Sequence, residues 1–387
     1  MITFDDEQGQ VPAILPEEVF APAVLKVVGV GGGGCNAVNR MIQAGIKGVE
    51  FIAVNTDAQS LARCLAPTKI QLLTSTSRGR ALGAGGNPAV AREAALDKTD
   101  EILDALAGAD MVFIAAGMGG GTGTGAAPIV GTLAKEQGAL TVAVVNTPFS
   151  FEGTERMRVA QAGLEELKGC VDTLLVVPNA RLEEMVSSQL TISEAFLLAD
   201  QALHHGVQGI SEIINETGVI NRDFADVKAV LSGGGMALMG IGVASGEHRA
   251  LEAAQNAVAS PLLDDVALQG AQRVLVNFIT GPKATLGEVR EAAQWIKEQC
   301  APNCTFLFGY VQREDFGDKL QVTLIATGFG SSEKTETKPS IRPEPAAAKP
   351  ELASPNPFLP KTDVANFGVE IRPDDFHLPA VLRQQLD

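Results

Sequence analysis

Residues 117–125 read Gly-Met-Gly-Gly-Gly-Thr-Gly-Thr-Gly. The run Met111-Val112-Phe113-Ile114-Ala115-Ala116 leads into them, apolar and partly β-branched, and residues 126–135 lead out with helical character. The pattern predicts a buried strand, a glycine turn and a helix start. Glycine permits φ > 0 and leaves N–H groups unshielded, and a row of N–H groups at a helix N-terminus is an anion site suited to phosphate. The loop has no Lys, so the GxxxxGK[ST] pattern is not met. Phosphate must then be held by amides, by hydroxyls such as that of Thr122, and by a metal ion. The bland alternative is a flexible linker, but linkers do not sit between a buried strand and a helix.

Outward from this loop, strand and helix alternate. Strands are expected at 24–30, 49–54, 69–73, 140–146 and 174–177. Gly29-Val30-Gly31-Gly32-Gly33-Gly34 turns the first strand into a helix beginning Cys35-Asn36. The loop Arg80-Ala81-Leu82-Gly83-Ala84-Gly85-Gly86-Asn87 ends on Pro88, where a helix opens. A loop at 147–153 precedes a helix carrying Arg156. Alternation of this length means a parallel, doubly wound sheet with ligand loops at the strand C-termini, so the three glycine-rich loops can converge on one crevice. Gly29, Gly31 and Gly34 also fit GxGxxG, with Asp57 after the next strand, which is the fingerprint of a Rossmann-type NAD-dependent oxidoreductase. The second glycine loop counts against that rival, because a dinucleotide needs one pyrophosphate loop.

A long helix is expected from Thr191 to about Thr217, opened by a Thr191/Glu194 capping box and stopped at Gly218. Ile192, Phe196, Ala199, Leu203, Val207, Ile210 and Ile214 recur every three or four residues, which predicts one buried face along its length. At 1.5 Å per residue it spans roughly 40 Å and would serve as a spine between two domains. Beyond it, strands near 233–246, 273–280, 305–310 and 320–327, with helices from 247 and at 285–298, predict a smaller α+β domain. Residues 331–373 are rich in Pro, Lys, Glu and Ala and read as an unfolded linker spanning roughly 35–40 Å. Residues 374–387 regain apolar character and read as a docking peptide.

The chain has 387 residues, 45% of them apolar, with a net charge of −16 and a sequence pI near 4.8. That charge argues against a nucleic-acid-binding surface and against adsorption to anionic lipid. No run of about 18 apolar residues occurs, so no membrane insertion is expected. The acidic, Pro-containing first 22 residues do not read as a signal peptide. Five cysteines without framework spacing suit a reducing cytoplasm. Cys300 and Cys304 lack a second pair to hold zinc, and the four histidines form no set by spacing.

The string 117–125, with its flanks 111–116 and Ala126-Ala127-Pro128, resembles the signature of the tubulin/FtsZ superfamily, its bacterial branch in particular. The resemblance runs over residues 25–329 and a short C-terminal piece. It implies a cytoplasmic GTPase that uses GTP/GDP and Mg2+, polymerises head to tail with itself, and scaffolds the mid-cell division ring. It implies that Gly32, Gly33, Gly34, Cys35 and Asn36 form the first nucleotide loop. Gly117, Met118, Gly119, Gly120, Gly121, Thr122 and Gly123 would form the phosphate loop, with Ala84, Gly85 and Gly86 packed nearby. Glu152 and Arg156 would hold the ribose and phosphate side, and Asn179, Phe196 and Asp200 the base. Asp200 makes chemical sense, since a carboxylate accepts from guanine N1–H and the exocyclic amine, a pair adenine lacks. Asn221, Asp223 and Asp226 match the catalytic loop; without the resemblance the two aspartates would read as helix caps. The metal ligands cannot be named. Phe376, Leu378, Pro379, Leu382 and Arg383 would bind membrane-tethering and regulatory division proteins such as FtsA. Ala81, Gly86, Ala180 and Arg222 depart from the superfamily pattern without removing a named functional group.

The implied organisation is a disordered extension (1–23), a GTP-binding domain (24–190), a central helix (191–218), a C-terminal α+β domain with the catalytic loop (219–330), a disordered linker (331–373) and the docking peptide (374–387). A tubulin-like protein that binds GTP without turnover is the other alternative.

Overall fold

The run LKVVGV forms strand β1 (Leu25–Val30), and every residue in it is buried. A strand buried on both faces must be apolar throughout, which is why this segment lacks the hydrophobic–polar alternation of an edge strand. Leu25 and Val27 join one core cluster and Val28 and Val30 another, so consecutive side chains feed opposite faces of the sheet. The computed structural model describes residues 22–73, 83–184, 191–215, 223–263 and 265–329. Gly218, Asn221 and Arg222, the linker and the docking peptide with Phe376 to Arg383 lie outside the described residues.

The remaining strands are β2 (Val49–Asn55), β3 (Thr68–Gln71), β4 (Met111–Gly117), β5 (Leu140–Thr147), β6 (Thr173–Pro178), β7 (Gly235–Ser245), β8 (Arg273–Thr280), β9 (Thr305–Gln312) and β10 (Lys319–Thr327). They form one sheet in the order β3-β2-β1-β4-β5-β6-β7-β10-β8-β9. Pairing is parallel from β3 to β7 and antiparallel on both sides of β10. The expected parallel, doubly wound sheet is therefore present within a mixed one. The C-terminal strands are joined to it directly, through Thr173↔Gly235 to Leu175↔Ala237.

Six helices matter for the site: α1 (Gly31–Gln43), α2 (Pro88–Leu96), α3 (Thr122–Glu136), α4 (Thr154–Cys170), α5 (Ile192–Asn215) and α6 (Phe224–Leu231). α1 and α5 cover one face, where Val38, Met41, Leu203 and Val207 meet Val27 and Phe113. α2, α3 and α4 cover the other, where Ala94, Val130 and Leu167 meet Val28 and Ile114. α5 opens with the expected capping box: Thr191 Oγ1 accepts from Glu194 N at 3.3 Å, and Thr191 N donates to Glu194 Oε2 at 2.8 Å.

The buried stripe of α5 begins later than the periodicity implies. Ala199, Leu203, Val207 and Ile210 are at most 2% exposed, whereas Ile192 is 68% and Phe196 43% exposed. The first turns of α5 are therefore partly open to solvent.

Candidate functional site

The order of the parallel strands reverses between β1 and β4, and a crevice opens outside their carboxyl ends. The chain leaves β1 directly into α1 and leaves β4 through Met118 to Gly121 into α3. The first amides of each helix have no intrahelical acceptor, and neither first turn carries an acidic residue. Two positive helix ends thus face one crevice, a setting for anions.

The two loops touch. A Cβ placed on Gly31, whose φ is +74°, would lie 2.9 Å from the backbone N of Gly123. Gly119 takes φ +91° and donates its N–H to Thr124 Oγ1 at 2.9 Å. That amide fixes the loop's own shape. Thr122 Oγ1 shares a 2.6 Å hydrogen bond with Thr56 Oγ1, which pins the start of α3 to the segment after β2.

Between these elements lies a cleft of about 430 Å3. Of the expected residues, Gly32, Gly33, Asn36, Gly117, Met118, Gly120, Gly121, Thr122, Gly123, Glu152, Arg156, Asn179, Phe196 and Asp200 line it. Gly34, Cys35, Gly119, Ala84, Gly85 and Gly86 are not among the lining residues. Cys35 is 1% exposed and its thiol accepts from Asn55 Nδ2 within the core, so its side chain faces away from the cleft. A Cβ on Gly34 would strike Ala115 O at 2.2 Å, so this residue sits where α1 presses on β4. Ala84 to Gly86 pack behind the phosphate loop: a Cβ on Gly121 would be 2.9 Å from that of Ala84 and 3.2 Å from the carbonyl carbon of Gly86. Of the catalytic trio, Asp223 N-caps α6 and neither it nor Asp226 lines the cleft.

One wall of the cleft is built by side chains that hold each other. Glu152 Oε1 accepts from Phe149 N at 2.9 Å, and its Oε2 meets Arg156 Nη1 at 2.9 Å. The ring of Phe196 stands edge-on to Phe149, with centroids 5.1 Å apart, and Phe149 stacks on Phe151. Phe196 therefore presents an aromatic surface braced from behind. Asp200 is mostly buried and its Oδ2 accepts from Arg40 Nε at 2.9 Å. Burial pushes the Asp200 carboxyl above the ordinary carboxylate value, and Arg40 pulls it back.

Residues 24–187 match the GTPase domain of the Tubulin/FtsZ family, and residues 235–330 match the C-terminal domain of the FtsZ family. A solved FtsZ dimer from M. jannaschii, described as empty, is 45% identical, covering 80% of this chain and 89% of that one with a TM-score of 0.76. The chain belongs to the FtsZ family. CetZ2 from Haloferax volcanii, solved as a GTPγS-bound protofilament, covers 81% of this chain and 95% of its own at 20% identity and a TM-score of 0.65, a likeness of fold.

In this FtsZ-family chain residues 24–187 form a GTPase domain, and the oxidoreductase alternative is not supported. Asp57, which suggested that alternative, is a helix cap instead. Its Oδ1 accepts from Gln59 N at 3.0 Å at the start of the helix Ala58–Arg63, and it does not line the cleft. Sequence reasoning also missed parts of this FtsZ-type site. Asn146, Thr147, Pro148, Ala199 and Leu203 line the cleft, and Arg40 and Thr56 hold its Asp200 and Thr122 side chains. Asn146 sits at the end of a predicted strand ahead of a predicted loop, a position where side chains reach a crevice, and that signal was available.

Proposed function

We propose that this chain binds GTP in the cleft, hydrolyses it when a second copy supplies Asp223 and Asp226, and assembles head to tail into filaments that scaffold the division ring. The observation that carries the reading is that neither aspartate lines the cleft, although both are exposed. α6, which begins beside them, ends at Leu231, whose carbonyl accepts from Thr173 Oγ1. Thr173 is the first residue of β6, and the cleft residue Asn179 follows that strand's other end. The end of α6 and the cleft thus lie at opposite ends of β6. From Asp200 to the end of α5 at Asn215 is also roughly 22 Å of helix at 1.5 Å per residue.

A second copy stacked on the first would bring its aspartates over the nucleotide. Such a contact joins two different surfaces, so it does not close and continues as a filament. The M. jannaschii FtsZ described as a dimer supports self-association.

Phosphoryl transfer depends on positioning and charge stabilisation more than on covalent chemistry. The amides of 120–123 and Arg156 hold the phosphates, Asp200 reads the base, and Asn221, Asp223 and Asp226 of the next copy orient the attacking water. Among the described residues no three His, Cys, Asp or Glu side chains cluster as metal ligands. Magnesium would enter on phosphate oxygens and water, neutralising charge there.

No helix among the described residues is long and apolar enough to cross a membrane. The filament, in the cytoplasm at mid-cell, reaches the membrane through partners such as FtsA bound to residues 374–387. Sedimentation with GTP, GDP or ATP, paired with phosphate release, tests the reading. GTP alone should give both pellet and phosphate; a GTP pellet without phosphate would indicate a tubulin-like protein without turnover, and no pellet would end the filament reading.

A further inference from the structure

The five cysteines of the chain occupy three settings. Cys35 and Cys64 are 1% and 3% exposed, inside one core cluster. Cys170 is half-buried in α4, and its thiol donates to Glu166 O at 3.3 Å. Cys300 and Cys304 are both half-buried, and their side chains hydrogen-bond each other. Only this last pair is both joined and open to solvent.

The sequence brings the pair together. The helix Leu286–Gln299 ends at Cys300, whose N–H donates to Lys297 O at 3.2 Å and whose thiol turns back to Ile296 O at 3.3 Å. Ala301-Pro302-Asn303-Cys304 follows, a turn sequence in which Pro presets φ at the second position and Asn suits the third. Cys304 N donates to Ala301 O at 3.0 Å and closes the turn. The chain then enters β9 at Thr305, whose carbonyl accepts from the Cys304 thiol at 3.6 Å. The two sulfurs meet where the helix hands over to the strand.

Their hydrogen bond makes the thiols unequal. It holds Cys304 below the ordinary thiol value, with burial opposing, and together with burial it raises Cys300. Cys304 is thus the sulfur that ionises first, and a thiolate, not a thiol, attacks an oxidant. Cys300 keeps its proton and stays in contact. A partly exposed thiolate beside a second thiol is the arrangement in which a sulfenic acid is resolved as a disulfide.

We propose that Cys304 and Cys300 form a reversible oxidation site, at which hydrogen peroxide converts the pair to a disulfide. The Cys304 thiolate attacks one peroxide oxygen: an S–O bond forms, the O–O bond breaks, and hydroxide leaves and takes up a proton as water. The Cys300 sulfur then attacks the Cys304 sulfur: the S–S bond forms, the S–O bond breaks, and the hydroxyl departs with the Cys300 proton as a second water. Two electrons pass from the sulfurs to the peroxide, and a dithiol reductant returns them. The closed loop is short, so the constraint is local and ties the last turn of the helix to the first residue of β9. These elements are the walls of an apolar groove lined by Val289, Ala293, Phe306 and Phe308, and the bond fixes their spacing at one end.

The test is peptide mapping of the full chain after brief treatment with hydrogen peroxide, followed by denaturation in iodoacetamide. Lys297 and Arg313 bracket both cysteines, so one tryptic peptide, residues 298–313, reports the pair. It should lose both alkylation sites and two hydrogens in mass, and dithiothreitol before alkylation should restore them, while Cys35 and Cys64 stay alkylatable. In Cys300→Ser the reaction should stop at a Cys304 sulfenic acid that dimedone captures; in Cys304→Ser, Cys300 should remain a thiol. A peptide 298–313 that keeps both thiols when Cys170 is already oxidised would overturn the proposal without any variant. So would a disulfide that joins separate chains, or dimedone capture at Cys304 as abundant in the unaltered chain as in Cys300→Ser.

Discussion

Arg40 Nε stands 2.9 Å from Asp200 Oδ2, joining α1 to α5 across 160 residues of sequence at the rim of the cleft. The ion pair engages Oδ2 of a mostly buried carboxylate and favours its charged form. Burial works against it, raising the carboxyl above its ordinary value, so the balance is set by Arg40.

If Asp200 accepts from guanine as proposed, binding needs the ionised carboxylate. Affinity for GTP should therefore fall as pH drops through the raised Asp200 value, and Arg40→Ala should move that fall to higher pH. For folding without nucleotide the sign is opposite: a raised native value means stability fullest below the ordinary carboxylate value and lost as pH rises through the raised one. Kd measured against pH for the two proteins checks the shift; superimposed curves would separate Arg40 from Asp200. Asp200→Asn should cost about 1.5–3 kcal/mol of GTP affinity, since an amide donates where the carboxylate accepts.

The phosphate loop admits no side chain at Gly123. A Cβ there would lie 2.3 Å from Gly117 O, whereas one on Gly120 meets nothing within 4 Å. Gly123→Ala should lose about 1–3 kcal/mol of stability by overpacking and most GTP affinity, while Gly120→Ala should melt like the parent. Thermal melting with and without GTP compares them, and equal melting points would mean the loop can yield.

His204 should shape the acid limb of stability. Its pKa is lowered to about 4 by burial and by the charges of His205 and Arg313. A depressed native value means the unfolded chain takes the proton first. The stabilisation is present above about 6.5 and is lost as pH falls toward about 4, up to about 3 kcal/mol. His204→Gln should flatten that slope in urea melts between pH 7 and 4.5; an unchanged slope would assign the acid limb to other groups.

Much of this molecule is written locally. Residues 111–116 are apolar because β4 is buried on both faces, and the Thr191/Glu194 box starts α5 where its two side chains dictate. What stayed hidden depends on distant neighbours. Arg40 reads as an ordinary cation on an amphipathic helix until Asp200 is folded beside it. Periodicity placed Ile192 and Phe196 on a buried face, but it cannot say where the covering sheet ends, and Phe196 emerges at the cleft. Cys35 belongs to a loop motif, yet the turn of α1 points its thiol inward. The pairing of Thr173 with Gly235 couples strands across α5 and α6, which no local pattern encodes.

Deleting residues 375–387 should leave GTP turnover and sedimentation in vitro nearly intact and abolish the protein's place at the division site in cells. The expectation follows from the composition of residues 331–373, which are rich in Pro, Lys, Glu and Ala and read as a linker rather than as part of the GTPase body. Loss of most turnover in the truncated protein would assign the peptide to that body.

The junction account is tested most directly by specific GTPase activity as a function of protein concentration, with sedimentation on the same samples. A lone subunit lacks the aspartates that would face its nucleotide, so activity per molecule should rise from near zero as pelletable assemblies appear. Mixing Asp226→Ala with Asp200→Ala, each nearly inactive alone, should restore turnover at mixed junctions, where an intact cleft meets an intact aspartate pair. A specific activity that stays constant down to dilutions where only monomers sediment would contradict the account.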